Sequence, residues 1–229
     1  MKKYDIFLID ADGTLFDYDM AESYALEAMF DSCGFGYSED VLLRYRDINS
    51  QVWTYHEQGG ISREDMFTSR FQRLFESVGV QCNDARDFNK KYLVELGKGI
   101  FLIDGALEIC KEIVRAGKQI FIVTNGAQTT QQSRIRNSLV SEYITDFFVS
   151  ECVGHQKPKV EFFDYVFAHI PKTPKEKILV VGDSLSADIA GGNNTGIDSC
   201  WFNADRRVND TGIMPTYEIC TLNDLSKFI

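Results

Sequence analysis

No two cysteines in this chain form a C-x-x-C pair. The six, at 33, 82, 110, 152, 200 and 220, are scattered without zinc-ligand spacing. That pattern excludes a disulfide scaffold and a structural zinc site, and predicts thiols buried in a reducing compartment. Long hydrophobic runs are missing too. The opening "MKKYDIFLID" sets a basic pair before a short apolar run that ends in an acid, which is not a signal peptide. Nothing later approaches the roughly 20 apolar residues of a membrane span, so a cytoplasmic location is expected. Positive charge is in deficit, with 24 Lys and Arg against 34 Asp and Glu, a net charge of −10. This disfavours a polymeric nucleic acid or an anionic membrane as main partner. It leaves room for a small anion held in a local cationic site. There is no internal repeat and no low-complexity tract.

The 229 residues suffice for one sizeable domain carrying an insert. Short apolar runs rich in β-branched and aromatic residues occur at 4–10, 118–125, 146–151, 177–183 and 199–203, with a weaker one near Tyr217–Cys220. They are continuous rather than alternating, as in strands buried on both faces of a parallel sheet. Helical patterns lie between them. Ala106, Ile109, Cys110 and Ile113 share one face before Gly117; Val160, Phe163, Phe167 and Ile170 share another. The alternation predicts an α/β fold with a doubly wound, mainly parallel, Rossmann-like sheet.

The stretch 18–98 contains no strand-like run. Three helical stripes occur there: Ala21, Tyr24, Ala25, Ala28 and Met29; Val41, Tyr45, Ile48 and Val52; Phe67, Phe71, Leu74, Phe75 and Val78. Ser62, with Asp65 three residues on, introduces the third, Gly79 closes it, and a last helix is expected over 84–96. The chain thus divides into an α/β core, 1–17 and 99–229, and a helical-bundle insert, 18–98.

Residues 8–15 read "LIDADGTL": an apolar run meets two aspartates one residue apart, then breaks at Gly-Thr. In an open α/β sheet, ligands bind beyond the carboxyl ends of the strands. The first run ends in Asp10-Ala11-Asp12-Gly13-Thr14, the second in Thr124-Asn125-Gly126, and the fourth in Gly182-Asp183-Ser184, with Asp188 a turn further. The third leads through a loop to Lys157-Pro158. Each piece alone reads as turn chemistry, an N-cap or a solvated lysine. All four together predict carboxylates, a hydroxyl and an ammonium gathered on one edge.

D-x-D-G-T, a Thr after the second strand, Lys-Pro, then G-D-S-x-x-x-D resembles the signature order of the haloacid dehalogenase-like superfamily, with 18–98 where that family places a helical cap. The resemblance implies phosphoryl transfer. Asp10 would be nucleophile and metal ligand. Asp12 would bind metal through its carbonyl and serve as acid and then base. Asp183 would complete a Mg²⁺ site, with Asp188 in or near its outer shell. Hard oxygen ligands suit that ion. Thr124, Asn125 and Lys157 would hold the phosphate. Dehalogenases of the superfamily attack carbon and generally lack the second aspartate, so Asp12 favours phosphate esters.

Asn49 and Trp53, in N-x-x-x-W-x-x-Y, together with the later G-x-I-S and "CWFN", resemble the bacterial pyrimidine 5′-nucleotidase branch. That implies nucleoside monophosphates such as dUMP, UMP and dTMP. For either residue alone, the blander assignment is insert core for Trp53 and surface for Asn49. His155 reads as a loop histidine, and Arg70 and Arg73 as solvated. A sugar-phosphate phosphatase or phosphomutase of the same fold is the nearest alternative. A phospho-acceptor signalling module is the non-enzymatic one; it would need an Asp where the run at 146–151 ends in Glu151, and would leave the insert unexplained.

Overall fold

The computed structural model describes residues 2–229, which divide into two compact units: Met20–Gly99, and the preceding residues with Ile100–Ile229. In chain order, β1 (Ile6–Ile9) precedes the helices α1 (Tyr18–Cys33), α2 (Glu39–Glu57), α3 (Arg63–Val78) and α4 (Ala85–Leu96). Then follow α5 (Ala106–Arg115), β2 (Gln119–Thr124), α6 (Gln128–Asn137), β3 (Asp146–Val149), α7 (Ser150–Val153) and α8 (Val160–His169). The chain finishes with β4 (Ile178–Gly182), α9 (Ala190–Thr195), β5 (Asp198–Phe202) and β6 (Tyr217–Ile219).

The six strands form one sheet in the order β3-β2-β1-β4-β5-β6, every pair parallel. Neighbouring residues of β1 go to opposite faces. Phe7 and Ile9 pack with Ile109 and Ile113 of α5, and Ile6 and Leu8 with Phe162 and Val166 of α8. Both faces are covered, which is why the strands read as unbroken apolar runs. Burying each such side chain stabilises the fold by about 1.5–3 kcal/mol. Because β2 lies on one side of β1 and β4 on the other, the chain changes direction between β1 and β4, where sheets of this topology bind ligands.

Within the helical unit, Ser38, Ser62 and Asp84 each cap a helix by accepting from a backbone N–H three residues on, that of Val41, Asp65 and Asp87. Such a cap contributes about 1 kcal/mol. Phe71 packs against Phe75, Phe88 and Tyr92 at the centre of the unit.

The structure corrects several sequence expectations. Arg70 is not solvated: it is 1% exposed, with the rings of Phe67, Phe71 and Tyr92 around its guanidinium. It donates from Nη1 to Asn49 Oδ1 at 3.1 Å and from Nη2 to Asn89 Oδ1 at 2.6 Å. A polar position beside an aromatic stripe reads as outward-facing, but two amides inside the bundle accept its charge. Arg73 is exposed, as expected. Tyr24 and Val160 lie outside their stripes, at 43% and 40% exposure. Only Cys110 and Cys200 are buried, and burial pushes both thiols up to about 12; Cys33 and Cys152 are exposed, and all six cysteines are free. β3 stops at Val149, so Glu151 belongs to the short α7, where its carboxylate accepts from the Gln128 N–H at the start of α6.

Candidate active site

At the end of β1 the Asp10 N–H donates to the Val181 carbonyl, continuing the ladder with β4 for one more residue. The chain then folds back, with the Leu15 and Phe16 N–H groups donating to the Ala11 carbonyl. Gly13 sits at the reversal with φ of +76°, and a Cβ there would lie 2.9 Å from the Asp183 carboxylate. Only glycine meets both demands. β4 ends at Gly182, where a Cβ would lie 2.1 Å from Asp188 Cγ, so this residue too is bare because a carboxylate lies against it. Asp188 falls in a π-helical turn, Leu185–Ile189, capped by Ser184, and its Oδ2 accepts from the Ser184 N–H at 3.2 Å. One-turn π segments recur at functional sites because they redirect a side chain.

Lys157 arrives from the loop after α7 and is 2% exposed. Its ammonium donates to Asp10 Oδ1 at 2.6 Å, Asp188 Oδ1 at 2.6 Å and the Val123 carbonyl at 2.8 Å, so all three protons are used. Asn125 fixes that loop: its Nδ2 donates to the Lys157 carbonyl, and its Oδ1 accepts from the Lys157 N–H. Thr124, 1% exposed at the end of β2, accepts from the Gly126 N–H through Oγ1. The loop after β1 and the ends of β2 and β4 therefore deliver their polar residues to one rim, with Lys157 between them.

Asp10, Asp183 and Asp188 present carboxylate oxygens within 4.8 Å of one another. Burial pushes the Asp10 carboxyl up, reinforced by the Asp188 and Asp183 charges and opposed by Lys157. Burial likewise raises Asp183 to about 6, with Asp188 adding to the effect and Arg207 opposing it. Burial works against the Lys157 ammonium, but the Asp10 and Asp188 charges and hydrogen bonds outweigh it and hold its pKa above the ordinary lysine value. Lys157 pairs with Asp10 and Asp188, while among the described residues Asp183 has only the exposed Arg207 guanidinium, 3.9 Å away, so three carboxylates crowd together with little buried positive charge. The donor set consists of hard oxygens. It fits a divalent cation such as Mg²⁺, whose binding would relieve the repulsion.

Several contacts were not legible in the motifs. Asp12 faces two residues of α6, Gln131 and Arg134. The Asp183 carbonyl accepts from Trp201 Nε1 and from Arg207 Nη2, each at 3.0 Å, which fixes the residue after β4. His155 is exposed in its loop, as expected. In the helical unit, Asn49 is 6% exposed and lies between Arg70 and Glu22, its Nδ2 donating to Glu22 Oε1 at 3.4 Å. Arg46 pairs with the same Glu22 carboxylate. Trp53 is half-buried and packs edge-on against His56 and Phe67. No helix among the described residues is long and apolar enough to cross a membrane.

Comparison with known proteins agrees with this arrangement. Residues 4–196 match the family model of the haloacid dehalogenase-like hydrolases. The chain is 39% identical to the HAD-hydrolase YfnB of Bacillus subtilis, over 98% of this chain and 95% of that one. It is 33% identical to the pyrimidine 5′-nucleotidase PynA of Streptococcus pneumoniae, over 97% and 93%. With the pyrimidine 5′-nucleotidase YjjG of Escherichia coli it shares 29% over 99% and 98%. The crystal structure of YfnB bound to magnesium superposes with a TM-score of 0.94 over 99% of this chain and 98% of that one, at 38% identity. A dehalogenase structure at 15% identity and a TM-score of 0.73 has the same fold. With its sheet order, its acids at the strand ends and these relatives, the chain belongs to the haloacid dehalogenase-like hydrolase family, and it is an enzyme.

Proposed function

We propose that this enzyme is a Mg²⁺-dependent phosphomonoester hydrolase that works through an aspartyl-phosphate on Asp10, with pyrimidine nucleoside 5′-monophosphates as substrates. The observation that carries the reading is the buried Lys157 ammonium joined to Asp10 beside Asp183 and Asp188, with Asp12 two residues away. Phosphoryl transfer needs that combination of positioning and charge neutralisation more than bond-making power. The substrate class rests on the similarity to PynA and YjjG over nearly the whole chain.

An Asp10 carboxylate oxygen attacks phosphorus, and the bond from phosphorus to the substrate's leaving oxygen breaks. Asp12 gives its proton to that oxygen, which leaves as an alcohol. Water then attacks the phosphorus of the aspartyl-phosphate while Asp12 takes its proton, and inorganic phosphate departs. Lys157 neutralises charge on Asp10 and on the phosphoryl oxygens. The Thr124 hydroxyl donates to one of those oxygens, and backbone N–H groups around Ala11, Asp12 and Asn125 receive the rest. Asp10, the Asp12 carbonyl and Asp183 would hold Mg²⁺, which when bound would supply the positive charge that lets a carboxylate approach a phosphate dianion.

The test is a panel of phosphomonoesters assayed for phosphate release with Mg²⁺. Pyrimidine nucleotides are expected to give the highest kcat/KM, and EDTA to abolish turnover. Preference for a sugar phosphate over every nucleotide would overturn the substrate class alone. An isomerised sugar phosphate without accumulating phosphate would indicate a mutase. Trp53 is the candidate for base contact; Asn49, buried with its amide held by Arg70 and Glu22, supports the helical bundle instead. Trp53→Ala is expected to raise KM for a nucleotide while leaving that for a small phosphate ester unchanged.

Mg²⁺ binding should also follow pH. The folded protein holds the Asp183 proton more tightly than the unfolded chain does, so ionising this group costs stability as pH rises from 3.8 to about 6. A bound cation offsets that cost. The rise in Tm on saturating with Mg²⁺ is therefore expected to be larger at about pH 7 than at about pH 5. Equal shifts at both would contradict this site.

A further inference from the structure

Gln131 and Arg134 belong to no motif read from the sequence, yet both are fully buried and both reach the same carboxylate. They lie three residues apart on α6, hence on one face of the helix. Gln131 donates from Nε2 to Asp12 Oδ2, and Arg134 Nη2 faces Asp12 Oδ1. Oδ2 of Asp12 thus has a hydrogen-bond donor and Oδ1 a buried positive charge against it, so the carboxyl group is held from both sides. The Gln131 hydrogen bond leaves a second lone pair on Oδ2 free to carry a proton.

The cost of this arrangement argues that it serves the chemistry. The Arg134 guanidinium has 0% side-chain exposure, and its Nε, Nη1 and Nη2 make no hydrogen bond among the described residues, leaving Nη2 an ion-pair partner of Asp12. Burial lowers its pKa to about 10, partly offset by the Asp10 charge, so it remains a cation at neutral pH. Phe16, in the same loop as Asp12, stacks its ring 5.2 Å from the guanidinium carbon. For stability alone, an apolar side chain of similar volume would do as well as a buried ion pair, or better. Gly126 supplies an independent observation: a Cβ there would lie 2.1 Å from Gln131 Nε2, so the bare backbone leaves room for the amide that holds Asp12.

We infer that Gln131 and Arg134 are positioning residues that hold the Asp12 carboxyl group in line with the leaving oxygen, and so set the efficiency of leaving-group protonation. This rests on the phosphatase reading and on Asp12 as its acid.

The test exploits the leaving group. An alkyl phosphate, such as a nucleoside monophosphate, must receive a proton as its oxygen departs; p-nitrophenyl phosphate releases a stable anion and needs none. The quantity to compare is kcat/KM, which reports steps up to formation of the aspartyl-phosphate. Gln131→Ala and Arg134→Lys are expected to lose about 10- to 100-fold on an alkyl phosphate that the enzyme turns over, and less than about 3-fold on p-nitrophenyl phosphate. The Tm shift on adding Mg²⁺ checks that each variant folds with its cation site intact. Arg134→Lys keeps the buried charge, and Gln131→Ala removes no charge, so the test does not depend on Arg134→Ala folding. Equal losses on both esters, or no loss on either, would overturn the inference. Asp12→Asn serves as reference. If it shows the leaving-group effect and the two variants do not, the inference alone falls; if it shows none, the assignment of Asp12 falls and takes the inference with it.

Discussion

Asp10→Asn is expected to lower turnover by at least about 10⁴-fold, because the amide has no carboxylate oxygen to attack phosphorus. The same change should leave the metal-free fold intact. Burial and the neighbouring acids already disfavour charge at Asp10, so a neutral isostere relieves repulsion with Asp183 and Asp188. Lys157 keeps Asp188 as partner. A metal-free Tm equal to or above that of the parent, together with lost turnover, separates chemistry from folding. Undiminished turnover would remove Asp10 from the reaction.

Lys157→Met tests the same cluster from its cationic side, with a different signature. The substitution keeps much of the volume and deletes the charge between two buried carboxylates. Removing one partner of a buried pair costs about 3–5 kcal/mol, since the other charges stay uncompensated. Loss of a preorganised positive charge beside a developing anion lowers the rate by about 10²–10³-fold. Stability and activity therefore both fall, unlike Asp10→Asn. Saturating Mg²⁺ is expected to recover part of the stability and none of the lost rate, because the ion can neutralise the acids without replacing an ammonium on the phosphoryl group. A loss below about 1 kcal/mol would mark Lys157 as a solvated lysine, the blander reading of its sequence position.

The strands were legible because a buried parallel strand leaves an unbroken apolar run, as "KILVVG" does for β4. The strand ends were legible because acids there have few structural uses, and Asp10, Asp183, Asp188 and Lys157 indeed meet at the β1–β4 rim. Arg70 was misread because charge placed beside Phe71 suggests solvent until the partners, Asn49 and Asn89, are brought together from other helices. Gln131 and Arg134 were missed for a related reason. "QTTQQSRIRN" has too few apolar residues to reveal an inward face, and its buried side includes Thr130, Gln131 and Arg134. Their spacing of three was the available signal, but its meaning depends on Asp12, more than a hundred residues earlier. Likewise, the helical stripes located the bundle without revealing the Glu22–Asn49–Arg70 chain inside it.

The most direct measurement is acid quenching of the enzyme during turnover with Mg²⁺ and a labelled phosphate ester, followed by peptide mapping. The account predicts one phosphoryl group per chain at most, on the peptide containing Asp10, absent in EDTA and absent from Asp10→Asn. Label on any other residue, or label that persists in Asp10→Asn, would contradict it.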